Sequence, residues 1–576
     1  MPRPSLPVLY FEPDGYVLDG PKLMGRQSAG HGFLRAAIEA VRVQAAEGGD
    51  NHLYCRTPSN QSASVFARIV KEQAAELEPR WVPADRLDLL QQNGALFMPG
   101  PGLAESARQR LRAGPGAWSI TGATYTLCSH TAMDALVDIV TGPVMPWDAL
   151  ICASTVAQHA VKTLFELQGQ YLSWRFGVKQ IVIPQLPLIP FGVHQADFSF
   201  SPEDRTSARA RLGLAPGNVT ILFAGRLSFH AKAHPYPMFV ALQKAAQRAD
   251  QDVSLLLCGQ FPNDAVRQAF FDGLKQYAPR VKPQWVDGKN FEHYNQAWAA
   301  SDVFVSLSDN LQETFGITPV EAMAAGLPVL VSDWDGYKDT VVEGVTGFRV
   351  PTWMPPPNLG SALAASFEAG MINYDRYIGL ACLEVCVDLD ILTQRFFSLI
   401  TEPELRAKMG AAGRAHVAKK YDWSIVMRQH QTLWDELEII RQEGIKKNVD
   451  VLAKAPKASP ARQDPYLVFS SFPTHVIQPS TGVSLVSDIE AQPSWASLRG
   501  DMLLSYAGDF LPHQDIVTRV MACLSEHRVA SGSASMTVQM LADKMSLPPA
   551  QLIRILSPMA KLGFVSFAAN AAPTPI

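Results

Sequence analysis

Short apolar runs alternate with amphipathic stretches through most of the chain. Val8-Leu9-Tyr10-Phe11, Val219 to Ala224, Val253 to Cys258, Val303 to Leu307 and Leu327 to Val331 have strand length and few polar positions, as in strands covered on both faces. Tyr125 to His130 and Trp147 to Ser154 read as two further strands that end in polar residues. Helical periodicity appears at Leu34 to Ala45, from near Pro237, at Leu405 to Tyr421, and at Ile425 to Glu443 after Trp423. Strands alternating with helices predict an α/β fold with a parallel, doubly wound sheet. Phe200 to Asp204, followed by Pro216-Gly217, marks a link between two halves, 1–204 and 205–422. Residues 445–465 carry Lys, Ala, Pro and Asp with little apolar periodicity and read as a linker. Beyond it, 466–576 forms a separate extension. Leu467 to Ser497 suits short strands or an extended arm. Asp515 to Glu526, Val538 to Met545 and Pro549 to Leu562 predict three helices, with a terminal strand at Phe564 to Phe567.

The densest chemistry lies in Glu313 to Leu330. Thr318 reads as a helix N-cap with Pro319 at the first helical position and Glu321 three residues after the cap. Gly326 ends that short helix. A helix start after a Gly-containing loop offers free backbone N–H groups and the positive end of a dipole, which suits a diphosphate. Glu313 and Glu321, flanking it, can accept hydrogen bonds from sugar and ribose hydroxyls. The same residues also fit a plain capping box with a solvated Glu313, so the local pattern leaves both readings open.

The upstream segments favour the anion site. The run Val219 to Ala224 ends in Gly225-Arg226-Leu227, Lys232 follows, and a helix begins near Pro237. Strand, cation-bearing loop and helix are the parts of a phosphate site. The Arg226 fork and the Lys232 point charge suit different oxygens of a pyrophosphate and its departure. A second buried strand ends in Gly259.

Gly225-Arg226-Leu227, Lys232, Gly259, Ser301-Asp302-Val303, the Glu313/Glu321 pair, Ala325-Gly326-Leu327-Pro328-Val329 and Gly344-Val345-Thr346-Gly347-Phe348 together resemble the nucleotide-sugar half of retaining glycosyltransferase family 4. That resemblance implies the GT-B architecture of two Rossmann-like domains facing a cleft, with 466–576 as an added, mostly helical unit. It implies that Arg226 and Lys232 hold the donor diphosphate, that Glu313 faces the transferred sugar and that Glu321 binds the ribose. The backbone of Phe315, Gly316, Ile317 and Thr318 would line sugar and phosphate, and Gly225 and Gly259 the donor floor. It further implies that the helix 423–443 crosses back onto the first domain, and that no metal or cofactor is needed because cations and helix ends replace it. Two departures stand out. Ser228-Phe229-His230-Ala231 lengthens the interval before Lys232, and Asp333-Trp334-Asp335-Gly336 replaces the family's Gly-Gly pair. The Asp triplet is also a hard-ligand pattern for a metal, although Asp335-Gly336 is a turn dipeptide.

The first half follows the pattern less closely. Met24 to Phe33 is rich in glycine and reads as a loop before the Leu34 helix, so that Gly30 would let a donor approach the backbone; a simple strand–helix connection fits equally. By the resemblance His130 reaches the donor sugar; an isolated His at a strand end is otherwise structural. Phe191 and His194 stand where the family has Asn and Asp.

Composition narrows the class. Lys plus Arg of 50 against Asp plus Glu of 54 gives no basic excess for a polyanion. In the extension, Arg499, Arg519, Arg528, Lys544, Arg554 and Lys561 meet Asp488, Glu490, Asp501, Asp509, Asp515, Glu526 and Asp543. Its three helices and strand resemble a winged-helix unit. The charge balance favours a protein partner or self-association over nucleic acid. Seven Cys without a CxxC pair fit a reducing compartment. No run has the length of a membrane span or signal peptide. The expectation is a cytoplasmic retaining hexosyltransferase, at most peripheral at the inner face of a membrane. It would use a nucleoside diphosphate sugar, UDP-sugar favoured, and an acceptor hydroxyl on a glycan, lipid-linked glycan or small molecule. The competing expectations are a phosphorylase or epimerase of the same architecture, and a non-catalytic GT-B scaffold acting through 466–576.

Overall fold

In a computed structural model, residues 6–17, 25–487 and 493–568 are described. The first sheet contains β1 (Val8–Tyr10), β2 (His52–Arg56), β3 (Glu78–Val82), β4 (Ala95–Met98), β5 (Ser119–Ala123) and β6 (Ala149–Ile151) in the order β3-β2-β1-β4-β5-β6. The second contains β7 (Thr220–Ala224), β8 (Val253–Gly259), β9 (Val281–Asp287), β10 (Val303–Ser306), β11 (Val329–Ser332) and β12 (Gly347–Val350) in the order β12-β11-β10-β7-β8-β9. Every pairing in both is parallel. Both sheets thus have the doubly wound Rossmann order, whose reversal falls between β1 and β4 in the first and between β7 and β10 in the second. Two Rossmann-like domains in one compact unit are the GT-B architecture. β7 and β8 are buried along their whole length, as continuous apolar runs between two helical layers require.

Several elements differ from the expectation. The strand expected at Tyr125 to His130 lies earlier, at β5, because 119–123 pairs with both β4 and β6. Tyr125 instead leaves the sheet and stacks on Phe191 at 5.2 Å. The stretch expected as a Gly-rich loop is already helical: the helix Gly25–Ala46 contains Gly30, and Met24 lies outside the described residues. A Cβ on Gly30 would stand 2.1 Å from the Gly15 carbonyl oxygen. Gly30 is therefore a packing glycine, not a ligand-facing one.

The helix Trp423–Lys447 runs along the first domain. Trp434 Nε1 donates to Thr121 Oγ1 at 3.2 Å, Arg441 Nη1 donates to the Gly116 carbonyl at 2.7 Å, and Trp423 fills the space left by Gly32. Helical structure continues past the expected end, through Val449–Ala453, and the compact unit closes at Ser459. Residues 460–576 form their own unit. It has the helices Gln514–Ser531, Val538–Met545 and Pro549–Lys561 and an antiparallel sheet of β15 (Gly482–Leu485), β16 (Met536–Thr537) and β17 (Val565–Ala568), with β15 central. Val483, Trp495, Leu541 and Leu556 belong to its core.

Candidate active site

The second sheet presents bare backbone at its C-terminal edge. β7 leaves through Gly225 at φ +146°, and β8 ends in Gly259 at φ +151°. A Cβ on Gly259 would stand 1.8 Å from the Gly225 carbonyl oxygen, and one on Gly288 3.0 Å from the Gly259 Cα. These three glycines make a floor beside the reversal of strand order, where α/β sheets bind ligands. Gly288 goes unnoticed in the sequence, although Asp287-Gly288 after an apolar strand is a usable turn signal.

Opposite the floor stands the helix Ile317–Ala324, capped by Gly316 at φ +79°. The cap is therefore Gly316 and not Thr318, and Glu321 completes no capping box. The reason is packing: a Cβ on Gly316 would lie 1.9 Å from the Tyr337 ring, and the positive φ favours glycine. The helix thus starts two residues earlier than the Thr-Pro pair suggests. Freed from capping, the Thr318 hydroxyl is buried without a hydrogen-bond partner and lines the cavity. Glu321 points to the floor side, where Tyr294 Oη donates to its Oε2 at 3.0 Å. Gly316→Ala is expected to destabilise the chain by about 2 kcal/mol or more, as a forced clash in a packed core does, and to weaken ligand binding. Urea unfolding and calorimetric titration check the two effects.

A cavity of about 280 Å³ lies between floor, helix start and the first domain. Arg226, Lys232, Glu313, Glu321 and the backbone of Phe315 to Thr318 line it, with Gly25, Arg26, Tyr125 and Thr126 from the first domain. Lys232 Nζ pairs with Glu313 Oε2, whose other oxygen accepts the Gly316 N–H at 3.1 Å. Burial opposes the charge on both, but each is held ionised by the other: the Lys232 ammonium is raised and the Glu313 carboxyl lowered. Burial, with Glu313 nearby, pushes the Asp335 carboxyl well above the carboxylate range, favouring its neutral form. Arg226 is braced by donating to the Ala231 carbonyl at 3.0 Å. Burial raises Glu321 to about 7, with Tyr294 pulling the other way.

Domain contacts frame this cavity. Ser154 Oγ donates to the Thr314 carbonyl at 2.5 Å, and Thr155 Oγ1 to Asp339 at 2.7 Å. Tyr294 reaches the cavity from a helix of its own, and Ser154 and Thr155 join the second domain from the first, so no local spacing reveals these partners. His130 is not brought to the cavity: it is the first residue of the helix His130–Thr141, exposed, with its ring stacked on Phe367 at 3.6 Å. Asp333-Trp334-Asp335 forms a turn, with Asp333 paired to Arg349 at 3.3 Å and Asp335 at φ +41°. Among the described residues no three His, Cys, Asp or Glu gather into a metal site, and no helix is long and apolar enough to cross a membrane. A larger cavity, about 650 Å³, opens beyond the Phe229 to His234 loop. It is lined by one domain only and lacks the paired charges, so the smaller cleft is the candidate site.

The fold is GT-B, and the cleft sets Arg226, the Lys232–Glu313 pair and a helix start around a glycine floor. Residues 204–355 match the model of the glycosyl transferases group 1. The chain is 30% identical over 234 residues to the phosphatidyl-myo-inositol mannosyltransferase of Mycobacterium tuberculosis, covering 40% of this chain and 51% of the relative. It is 30% identical over 158 residues to the D-inositol 3-phosphate glycosyltransferase of Nocardia farcinica, covering 26% and 33%. The chain thus spans about half or less of these relatives. Among solved structures, Anabaena Alr3699/HepE in complex with UDP aligns at TM-score 0.48 and 16% identity, over 75% of this chain and 100% of that one.

Proposed function

We propose that the protein is a retaining glycosyltransferase that moves a hexose from a nucleoside diphosphate sugar, UDP-sugar favoured, to an acceptor hydroxyl. The observation that carries this reading is the convergence of Arg226, the Lys232–Glu313 pair and the Ile317–Ala324 helix start on one glycine floor. The match of 204–355 to the glycosyl transferases group 1 and the relatives' names support it. In this reading Arg226, Lys232 and the Gly316 to Thr318 backbone hold the diphosphate. They stabilise the charge that grows on it as the sugar bond breaks. The departing phosphate oxygen takes the acceptor's proton on the same face, so the hydroxyl attacks without a protein nucleophile. Glu313 orients the sugar, and Glu321 accepts from the ribose. The positive groups already present do what a metal would do for the diphosphate, and the reading places none. A cytoplasmic site of action and a protein partner for 460–576 belong to the same proposal.

The test is release of nucleoside diphosphate from a panel of uridine and guanosine diphosphate sugars, by wild type and by Arg226→Ala and Glu313→Ala. Selective release that both substitutions abolish supports the transferase. A folded protein that binds no donor overturns it and leaves the scaffold.

Glu321 gives the reading a pH signature. Only the carboxylate accepts two ribose hydroxyls, and with its pKa raised to about 7 it ionises as pH rises through neutrality. Affinity for UDP-glucose is expected to increase about tenfold from pH 6 to pH 8. Glu321→Gln should flatten the profile. Stability moves oppositely: a carboxyl raised on folding stabilises most below its unfolded value of 4.5, and that contribution is lost as pH rises through about 7.

A further inference from the structure

Between β12 and the helix Leu389–Thr401 the chain makes an excursion that leaves and re-enters the second domain at one place. β13 (Thr352–Trp353) and β14 (Cys386–Val387) pair antiparallel at its base, and the helices Ser361–Glu368 and Tyr374–Leu383 form its body. The family match stops at 355, where this excursion begins. Its tip reaches the first domain. The Phe367 ring lies between His130 at 3.6 Å and Tyr377 at 4.4 Å, both stacked. The Tyr374 hydroxyl stands 3.3 Å from Cys128 Sγ, and Arg226 is close enough to act on that hydroxyl electrostatically. Arg226 directly follows Gly225 of the glycine floor, so these contacts lie on the Arg226 side of the cleft.

We propose that residues 354–385 are an acceptor-side strap: Phe367 on His130 and Tyr374 on Cys128 fasten the excursion to the first domain and keep water from the approach to Arg226. Water entering a transferase cleft takes the acceptor's place, and the donor is hydrolysed to free sugar and nucleoside diphosphate. Phe367 is thus a positioning residue that acts through His130, not a group on the reacting atoms. The position expected to touch the sugar serves instead as the strap's anchor. This rests on the transferase reading for its consequence, but not for the closure itself.

The test uses the full chain, with alkylation of Cys128 followed by peptide mass spectrometry and donor hydrolysis followed with UDP-glucose and no acceptor. One ring contact and one hydrogen bond fasten the strap to the first domain, so Phe367→Ala is expected to speed both Cys128 alkylation and hydrolysis about tenfold, with UDP affinity within about twofold of wild type. Phe367→Trp restores the wild-type rates. Unchanged Cys128 alkylation in Phe367→Ala overturns the strap, and faster alkylation without faster hydrolysis overturns its role against water. If alkylation of the buried Cys55, Cys152 and Cys258 rises as well, the variant has unfolded. His130→Ala, which removes only the exposed ring that Phe367 stacks on, then decides: Cys128 alone becomes more reactive, or the proposal fails. A wild type that binds no donor sinks the transferase reading, while Cys128 alkylation still decides closure.

Discussion

Lys232→Ala is expected to lower donor turnover roughly 100- to 1000-fold, the loss seen when one preorganised charge is removed from a developing anion. The same substitution should destabilise the chain by about 3 kcal/mol, because it strands Glu313 as a buried charge without its cation. Each partner is largely shielded from solvent, with side-chain exposures of 12% and 20%. The two consequences separate in a double-mutant cycle. Removing Glu313 as well recovers about 1–3 kcal/mol of the lost stability but none of the turnover. Urea midpoints and diphosphate release across the cycle check both. A Lys232→Ala chain as stable as wild type would mean that Glu313 is solvated or protonated.

Arg110→Ala is expected to be among the most destabilising single changes in the first domain. Arg110 and Asp148 are both 0% exposed and paired by bidentate bonds at 2.6 and 2.7 Å. Asp148 also accepts the Ile120 and Met145 N–H groups, and Arg110 donates to the Trp118 carbonyl. The pair thereby ties the start of β5 to the turn before β6, the two strands that carry Thr126 and Ser154 to the cleft. Breaking a pair this deep costs about 3–5 kcal/mol. Replacing both residues by apolar ones should not rescue it fully, since each orphaned buried N–H costs about 1–3 kcal/mol. Urea unfolding of the single and double variants reads this directly.

What could be read from the sequence follows from how local each feature is. Gly225, Gly259, Arg226 and Glu313 were visible because a buried strand ending in glycine and a cation is a contiguous pattern. The start of the Ile317–Ala324 helix was misplaced because the Thr-Pro-x-Glu run is a good local cap, while the true cap is set by the Tyr337 ring under Gly316. Gly30 looked like a loop glycine for the same reason: its cause, the Gly15 carbonyl, is a tertiary contact. His130 was expected to reach the donor sugar but stands outside the cavity, stacked on Phe367, a partner too distant in the chain for any local pattern to announce. Arg110 carried no signal at all, since nothing in an amphipathic helix announces that one arginine will be enclosed with an aspartate from another element.

A nucleoside diphosphate is expected to sit on the glycine floor between Arg226, Lys232 and the Gly316 cap. Calorimetric titration of UDP into wild type and Arg226→Ala tests it most directly. One site per chain is expected, with affinity falling about tenfold or more when the Arg226 fork is removed. Equal affinity in the two proteins, with Arg226→Ala folded, would contradict it.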